Sequence, residues 1–178
     1  MASFQSLPRL WLLSDQRNDA VLDARLSEFR EPVGFVYRHY HLPPEQRLAR
    51  FDTLAAIARR HGHLVILSNS TLTAREWGAD GVYGAPLAIY PTRDDLITVA
   101  TVHNMREIAQ ANRIEADAVM LSPVYPTRSH PGGTVLGPTR FRALARYAHM
   151  PVIALGGMTK KSARHLGWNT WAAIDGLS

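Results

Sequence analysis

Short apolar runs closed by polar or glycine-rich turns recur along the chain, at residues 10–14, 33–40, 64–68, 81–83, 97–103, 118–125, 152–155 and 171–174. Runs of this length, rich in Val, Ile, Leu and aromatic residues, predict strands. Helical patterns lie between several of them. Residues 43–60 place Leu48, Phe51, Leu54, Ala55 and Ala58 on one face, open with two prolines and stop at Gly62. Asn104 followed by Glu107 reads as a capping box for a helix to about residue 112. Pro138 suits the first turn of a helix reaching Tyr147, and Thr159 caps a short one ending at Leu166. Residues 19–29 are amphipathic and 73–77 brief, whereas two prolines in 86–95 argue against a helix there. Nothing long enough for a helix follows the last run.

Strands alternating with helices signal a parallel sheet. An internal echo points to repeated β/α units: Ala79-Asp80-Gly81-Val82 and Ala116-Asp117-Ala118-Val119 each follow a helical segment and lead into a strand. Eight units predict one compact (β/α)₈ TIM barrel domain over residues 1–178. Such barrels usually need about 200 residues, so some helices must be shortened or missing. An open doubly wound sheet is the rival arrangement.

Composition narrows the class. At 46% hydrophobic and 20% charged, the chain is neither collagen, coiled coil nor wholesale disorder. No apolar run approaches the roughly 18 residues of a membrane span. The stretch at residues 10–13 is too short for a secretory signal core, so a cytoplasmic protein without a membrane partner is expected. The absence of cysteine removes disulfides, thiolate nucleophiles and Cys-based zinc sites. The basic residues are 18 Arg and 2 Lys, and the net charge is +5. That balance suits an anionic partner, although arginines also coat helix faces. They are scattered from Arg9 to Arg164 with no dense basic block, which argues against a nucleic-acid partner.

Both parallel architectures place sites just past the C-terminal ends of strands. There stand Asp15 and Arg17, Arg38, Ser68 and Asn69, Tyr83, His103, residues 122–137, Gly156 and Gly157, and Asp175 and Gly176. The 122–137 stretch holds three prolines and three glycines, and reads as either a closing lid or a solvated connection. Its Thr127, Arg128, Ser129 and His130 would supply donors. Gly156-Gly157, between a strand and a helix start, can turn N–H groups toward an anion or simply make a tight turn. His103 is placed to shuttle a proton or to serve as a structural hydrogen-bonder. Arg38 would project into the barrel mouth to meet an anion, or pair with Asp15. No metal-ligand cluster, GxGxxG, GxxxxGKS or GxSxG pattern is present, which removes the main support for zinc hydrolase, Rossmann, P-loop and α/β-hydrolase readings.

The stretches ADAVMLSPVYPTRSHPGGTVLG and PVIALGGMT resemble the thiamine-phosphate synthase and TenI family of (β/α)₈ barrels. Weaker correspondences extend from LWLLSD through VYRHY, LSNS, WGADGV and TVH to WAAIDG. The resemblance implies a thiazole phosphate ligand, its phosphate at Gly156 and Gly157 and its ring beneath Thr127, Ser129 and His130. Ser68, Asn69 and Gly176 join this substrate site. Arg38 matches the family's strand-two arginine, and His103 falls where the TenI branch has its catalytic histidine. Departures are equally specific. The family's synthases hold magnesium with an Asn-Asp pair after strand three and an Asp after strand four, where this chain has Ser68-Asn69 and Tyr83-Gly84-Ala85-Pro86. Magnesium is therefore left with Asn69, through water, as its remaining ligand. Two family lysines match His130 and Tyr40, and Asp175 replaces a small polar residue near the phosphate. The implied activity is either coupling of thiazole phosphate to hydroxymethylpyrimidine diphosphate, releasing pyrophosphate, or TenI-like tautomerisation of the thiazole. A non-catalytic binder of a phosphorylated metabolite is the alternative. The missing last helix leaves a surface that a homodimer would cover.

Overall fold

The computed structural model describes residues 6–128 and 132–175. Eight strands, Leu10–Leu13 (β1), Gly34–Tyr37 (β2), Leu64–Leu67 (β3), Gly81–Gly84 (β4), Ile97–Val102 (β5), Ala118–Leu121 (β6), Val152–Ala154 (β7) and Trp171–Ala173 (β8), close into a barrel in sequence order. Every pairing is parallel, including β1 with β8. Helices Asp19–Glu28 (α1), Pro44–Arg60 (α2), Thr71–Glu76 (α3), Met105–Arg113 (α4), Gly137–Ala145 (α5) and Lys160–Leu166 (α6) fill the crossovers. Among the described residues, β4 and β8 are followed by no helix. Ile89 and Leu96, from the segment after β4, are buried with Val82 in the outer core. No described helix is long and apolar enough to cross a membrane.

Alternation along each strand produces two cores. Trp11, Leu13, Val36, Ile66, Met120 and Ile153 fill the barrel, while Leu12, Phe35, Val65, Val119 and Leu121 pack under the helices. Gly34 belongs to this packing, because a Cβ there would lie 2.2 Å from the Trp11 ring. The repeated Asp has a structural explanation. Asp80 Oδ2 accepts from Val65 N–H at 2.8 Å and Asp117 Oδ2 from Thr98 N–H at 2.7 Å, so each carboxylate caps the neighbouring strand. Asn18 closes the seam, donating from Nδ2 to Leu13 O and Ile174 O, both at 3.0 Å.

Several elements stop earlier than the apolar pattern suggests. The run 33–40 yields a strand only to Tyr37, because His39 turns the chain through a left-handed conformation (φ 43°). The run 118–125 ends at Leu121, ahead of Pro123, which has no N–H for a ladder. In α2 the buried face carries Arg47, with Phe51, Leu54, Ala55 and Ala58, while Leu48 is 37% exposed. The Asn104–Glu107 cap also differs from the expected box. Asn104 accepts from Glu107 N–H, but the Glu107 carboxylate accepts from His103 N–H, one residue earlier. A full capping box occurs instead at Thr159 and Ser162.

Candidate functional site

The strand ends open into a cavity of about 750 Å³. Arg38, His103, Thr127, Gly156 and Gly157 all line it, with Tyr83 and Thr101. Ser68 and Asn69 do not. Ser68 is buried behind Tyr40, with which its hydroxyl is hydrogen-bonded, and Asn69 Oδ1 accepts from Ser70 N–H at 2.7 Å. Ser129, His130 and Gly176 lie outside the described residues.

His103 follows β5 directly, and its Nδ1 lies 2.8 Å from Glu107 Oε2, one turn into α4. Burial pushes the Glu107 carboxyl up, but hydrogen bonds from the His103 ring and backbone outweigh it, leaving it below its usual value. An ionised carboxylate at Nδ1 fixes the proton there and leaves Nε2 as the basic nitrogen.

Gly156 and Gly157 adopt φ of 96° and 61°. A Cβ on Gly156 would meet Pro123 at 2.7 Å, and one on Gly157 would meet Pro126 O at 2.5 Å. Only glycine lets this turn lie against the residues leaving β6. The N–H groups of Gly156, Gly157 and Met158 donate to none of the described residues. Three adjacent unpaired donors on a cavity rim can hold an oxyanion.

The other side of the mouth carries a chain of charges. Asp175 pairs with Arg17 (3.2 Å), Arg17 with Asp15 (2.8 Å) and Asp15 with Arg38 (3.2 Å), linking the exits of β8, β1 and β2. Burial pushes the Asp15 carboxyl up, but hydrogen bonds from Arg17 and the charges of Arg17 and Arg38 outweigh it and hold it low. Arg38 therefore does pair with Asp15, yet its Nε is buried without a partner among the described residues. Behind it, Arg47 donates from Nε to Arg38 O (2.8 Å) and from Nη2 to Ser68 O (2.9 Å). A second network fixes the turn: His39 Nδ1 meets Ser14 Oγ at 2.7 Å, its Nε2 meets Asp19 at 2.8 Å, and Arg50 holds Asp19. Ser14 is fully buried, so this Ser-His-Asp set is structural.

The model of a family described as thiamine monophosphate synthase matches residues 15–174. The chain belongs to the thiamine monophosphate synthase family. Thiamine-phosphate synthase of Pyrococcus furiosus is 28% identical over 180 residues, covering 96% of this chain and 84% of its own. That of Parasynechococcus marenigrum is 31% identical over 128 residues, covering 65% of this chain but 35% of its own longer one. In fold, the chain is similar to thiamine phosphate pyrophosphorylase from P. furiosus (TM-score 0.73, 24% identity, covering 93% of this chain and 85% of that one). FabK from Thermotoga maritima is also similar (TM-score 0.69, 14% identity, 96% and 58% covered), so the barrel alone does not specify chemistry.

Magnesium is the cofactor to test against this thiamine monophosphate synthase family member. A hard cation takes several oxygens, and carboxylates serve best. Asp175 on the cavity wall is engaged by Arg17, Asp15 by Arg17 and Arg38, and Glu107 by His103. Among the described residues, no group of three His, Cys, Asp or Glu side chains could hold a metal. The residues present do not fit the ion.

Sequence reasoning missed Thr101, Glu107 as the partner of His103, and Arg47. Thr101 was findable, since it stands two residues before His103 on the same strand face.

Proposed function

We propose that this chain binds a thiazole phosphate and moves a proton within it, as a thiazole tautomerase. The observation that carries this reading is His103, oriented by Glu107 on the wall of the cavity that also holds the Gly156-Gly157 turn. The ligand's phosphate sits on the N–H groups of Gly156, Gly157 and Met158, and its ring lies beneath Thr127. His103 Nε2 takes a proton from the ring system. Glu107 stabilises the imidazolium that results. The reaction is an isomerisation, so it needs neither a metal nor a second substrate. Arg38 lines the same space, and its guanidinium orients the ligand's charged part.

A second reading, thiamine-phosphate synthase, is favoured by the names of the relatives at 28% and 31% identity. Against it stand carboxylates already engaged by arginine and histidine. One experiment separates the readings. Purified protein is given the thiazole phosphate tautomer alone, then aromatic thiazole phosphate with hydroxymethylpyrimidine diphosphate and magnesium, and products are followed by NMR. Tautomer conversion that His103→Ala abolishes, with ligand binding retained, is the expected result. Formation of thiamine phosphate would establish the synthase reading, and binding without either product would leave a non-catalytic binder.

A further inference from the structure

Isomerisation requires one proton removed and one delivered at a different atom. We propose that Tyr83 is the second proton-transfer residue, a cavity-lining phenol that donates to the ligand at the position His103 does not reach. The inference rests on the tautomerase reading above.

Three observations support it. Tyr83 sits among buried inner-core side chains such as Leu13, Val36, Ile66 and Met120 and adds a hydroxyl to that apolar packing. Phenylalanine would fill the same volume without desolvating a hydroxyl, and Tyr83 is only 8% exposed. Second, the register places the phenol. Tyr83 pairs with Val99 on β5, two residues before Thr101 on the same strand face, and the Thr101 side chain is near enough to favour the phenolate. Thr101 lies roughly 6.6 Å further along the strand than Val99, and His103 roughly 6.6 Å beyond Thr101 on the same face. Tyr83, Thr101 and His103 all line the cavity. Thr101, beside Tyr83, thus stands two residues short of His103 on one strand face, a separation of roughly 6.6 Å that suits two ends of a substituted five-membered ring. Third, the protonation states are complementary. Burial raises the Tyr83 pKa and keeps the phenol protonated, while Thr101 and the charge of Arg38 favour the phenolate that donation would leave.

The step balances. His103 Nε2 takes a proton from one ligand carbon, the freed electron pair shifts through the conjugated system, and the Tyr83 O–H gives its proton to the carbon at the far end. Imidazolium and phenolate are then reset by proton exchange with water, and no oxidant or other co-reactant enters.

The test uses the full chain and the thiazole phosphate tautomer in deuterium oxide, followed by NMR. Tyr83→Phe is expected to bind the ligand normally and to retain exchange of the abstracted proton with deuterium. Its product formation should fall about a hundredfold or more, the range for loss of a general acid. Thr101→Val keeps the phenol but removes its partner, and should lower product formation about tenfold with exchange unchanged. Product formation by Tyr83→Phe within about threefold of wild type overturns the proposal, as does a parallel loss of exchange and product in a variant that binds normally. If Tyr83→Phe does not fold, Thr101→Val decides by the same split. Wild-type protein that binds the tautomer but neither exchanges nor converts it refutes the tautomerase reading itself, and the role of Tyr83 falls with it.

Discussion

Arg47 offers a quantitative check on how the mouth is built. Only 8% exposed, it bridges the exits of β2 and β3 through Arg38 O and Ser68 O. Its guanidinium also lies 5.3 to 5.7 Å from the ring centroids of Trp77, Tyr40 and Tyr37. Arg47→Met preserves the stem but removes the fork. Each hydrogen bond from a charged donor contributes about 1.5–3 kcal/mol, and the carbonyls left behind are penalised further. Against this stands the desolvation of the guanidinium, visible in a pKa pulled down by burial despite the nearby tyrosines. The net loss should be about 3 kcal/mol. For a chain of this size that corresponds to a Tm lower by about 6–12 °C. Urea unfolding followed by tryptophan fluorescence reads the effect. Arg47→Lys should recover only part of it, since one ammonium lacks the planar fork. A loss below about 1 kcal/mol for Arg47→Met would refute the bridging argument.

Acid should destabilise the fold in two stages. Burial depresses the pKa of His39 and of His63 below 6.5, outweighing their hydrogen bonds to Asp19 and to Leu26 O. Between their folded and unfolded values the unfolded chain binds more protons, so stability is full above pH 6.5 and declines as pH falls toward the folded values. A second decline should follow below about pH 4.5 as Asp15, Asp19, Asp23 and Glu107, whose pKa values are lowered in the fold, take up protons. Urea midpoints from pH 8 to 3 test this; a midpoint that rises from pH 7 to 5.5 contradicts it. Gly156→Ala should weaken phosphate binding by at least about tenfold and lower Tm, because φ of 96° and the contact with Pro123 both oppose a side chain. Calorimetric titration with inorganic phosphate would expose the opposite outcome.

The barrel was legible because its signal is repeated: eight apolar runs with turns between them determine a count, and the count determines the architecture. Local rules also held where they had no competitor, as at Pro44 and at the Thr159 cap. They failed where a distant partner decided the matter. Arg47 looks like a solvent residue beside Leu48, and only two carbonyls and three aromatic rings brought from other elements reverse that order. His103, Arg38 and the glycine pair stood out because strand ends are where sites form. Thr101 did not, because a threonine inside a strand ordinarily reports only β propensity. Ser68 and Asn69 were placed by the same strand-end rule and by family likeness, but Ser68 turns its hydroxyl to Tyr40 and neither residue reaches the cavity.

The seam held by Asn18 has a kinetic meaning. Its bond to Ile174 O joins residues 156 positions apart, while β8 reaches β7 through the pair Ala154↔Trp171. Loop-closure entropy grows only as about (3/2)RT ln n, so the long connection costs little more in stability than a shorter one would. Its effect falls on the rate. Contacts this distant must wait for the intervening units to condense, and ring closure becomes a late event in folding. By the same logic β8 is the stave through which the barrel first opens. The Arg17–Asp175 pair and the β8 side of the cavity would therefore be the last parts assembled and the first lost.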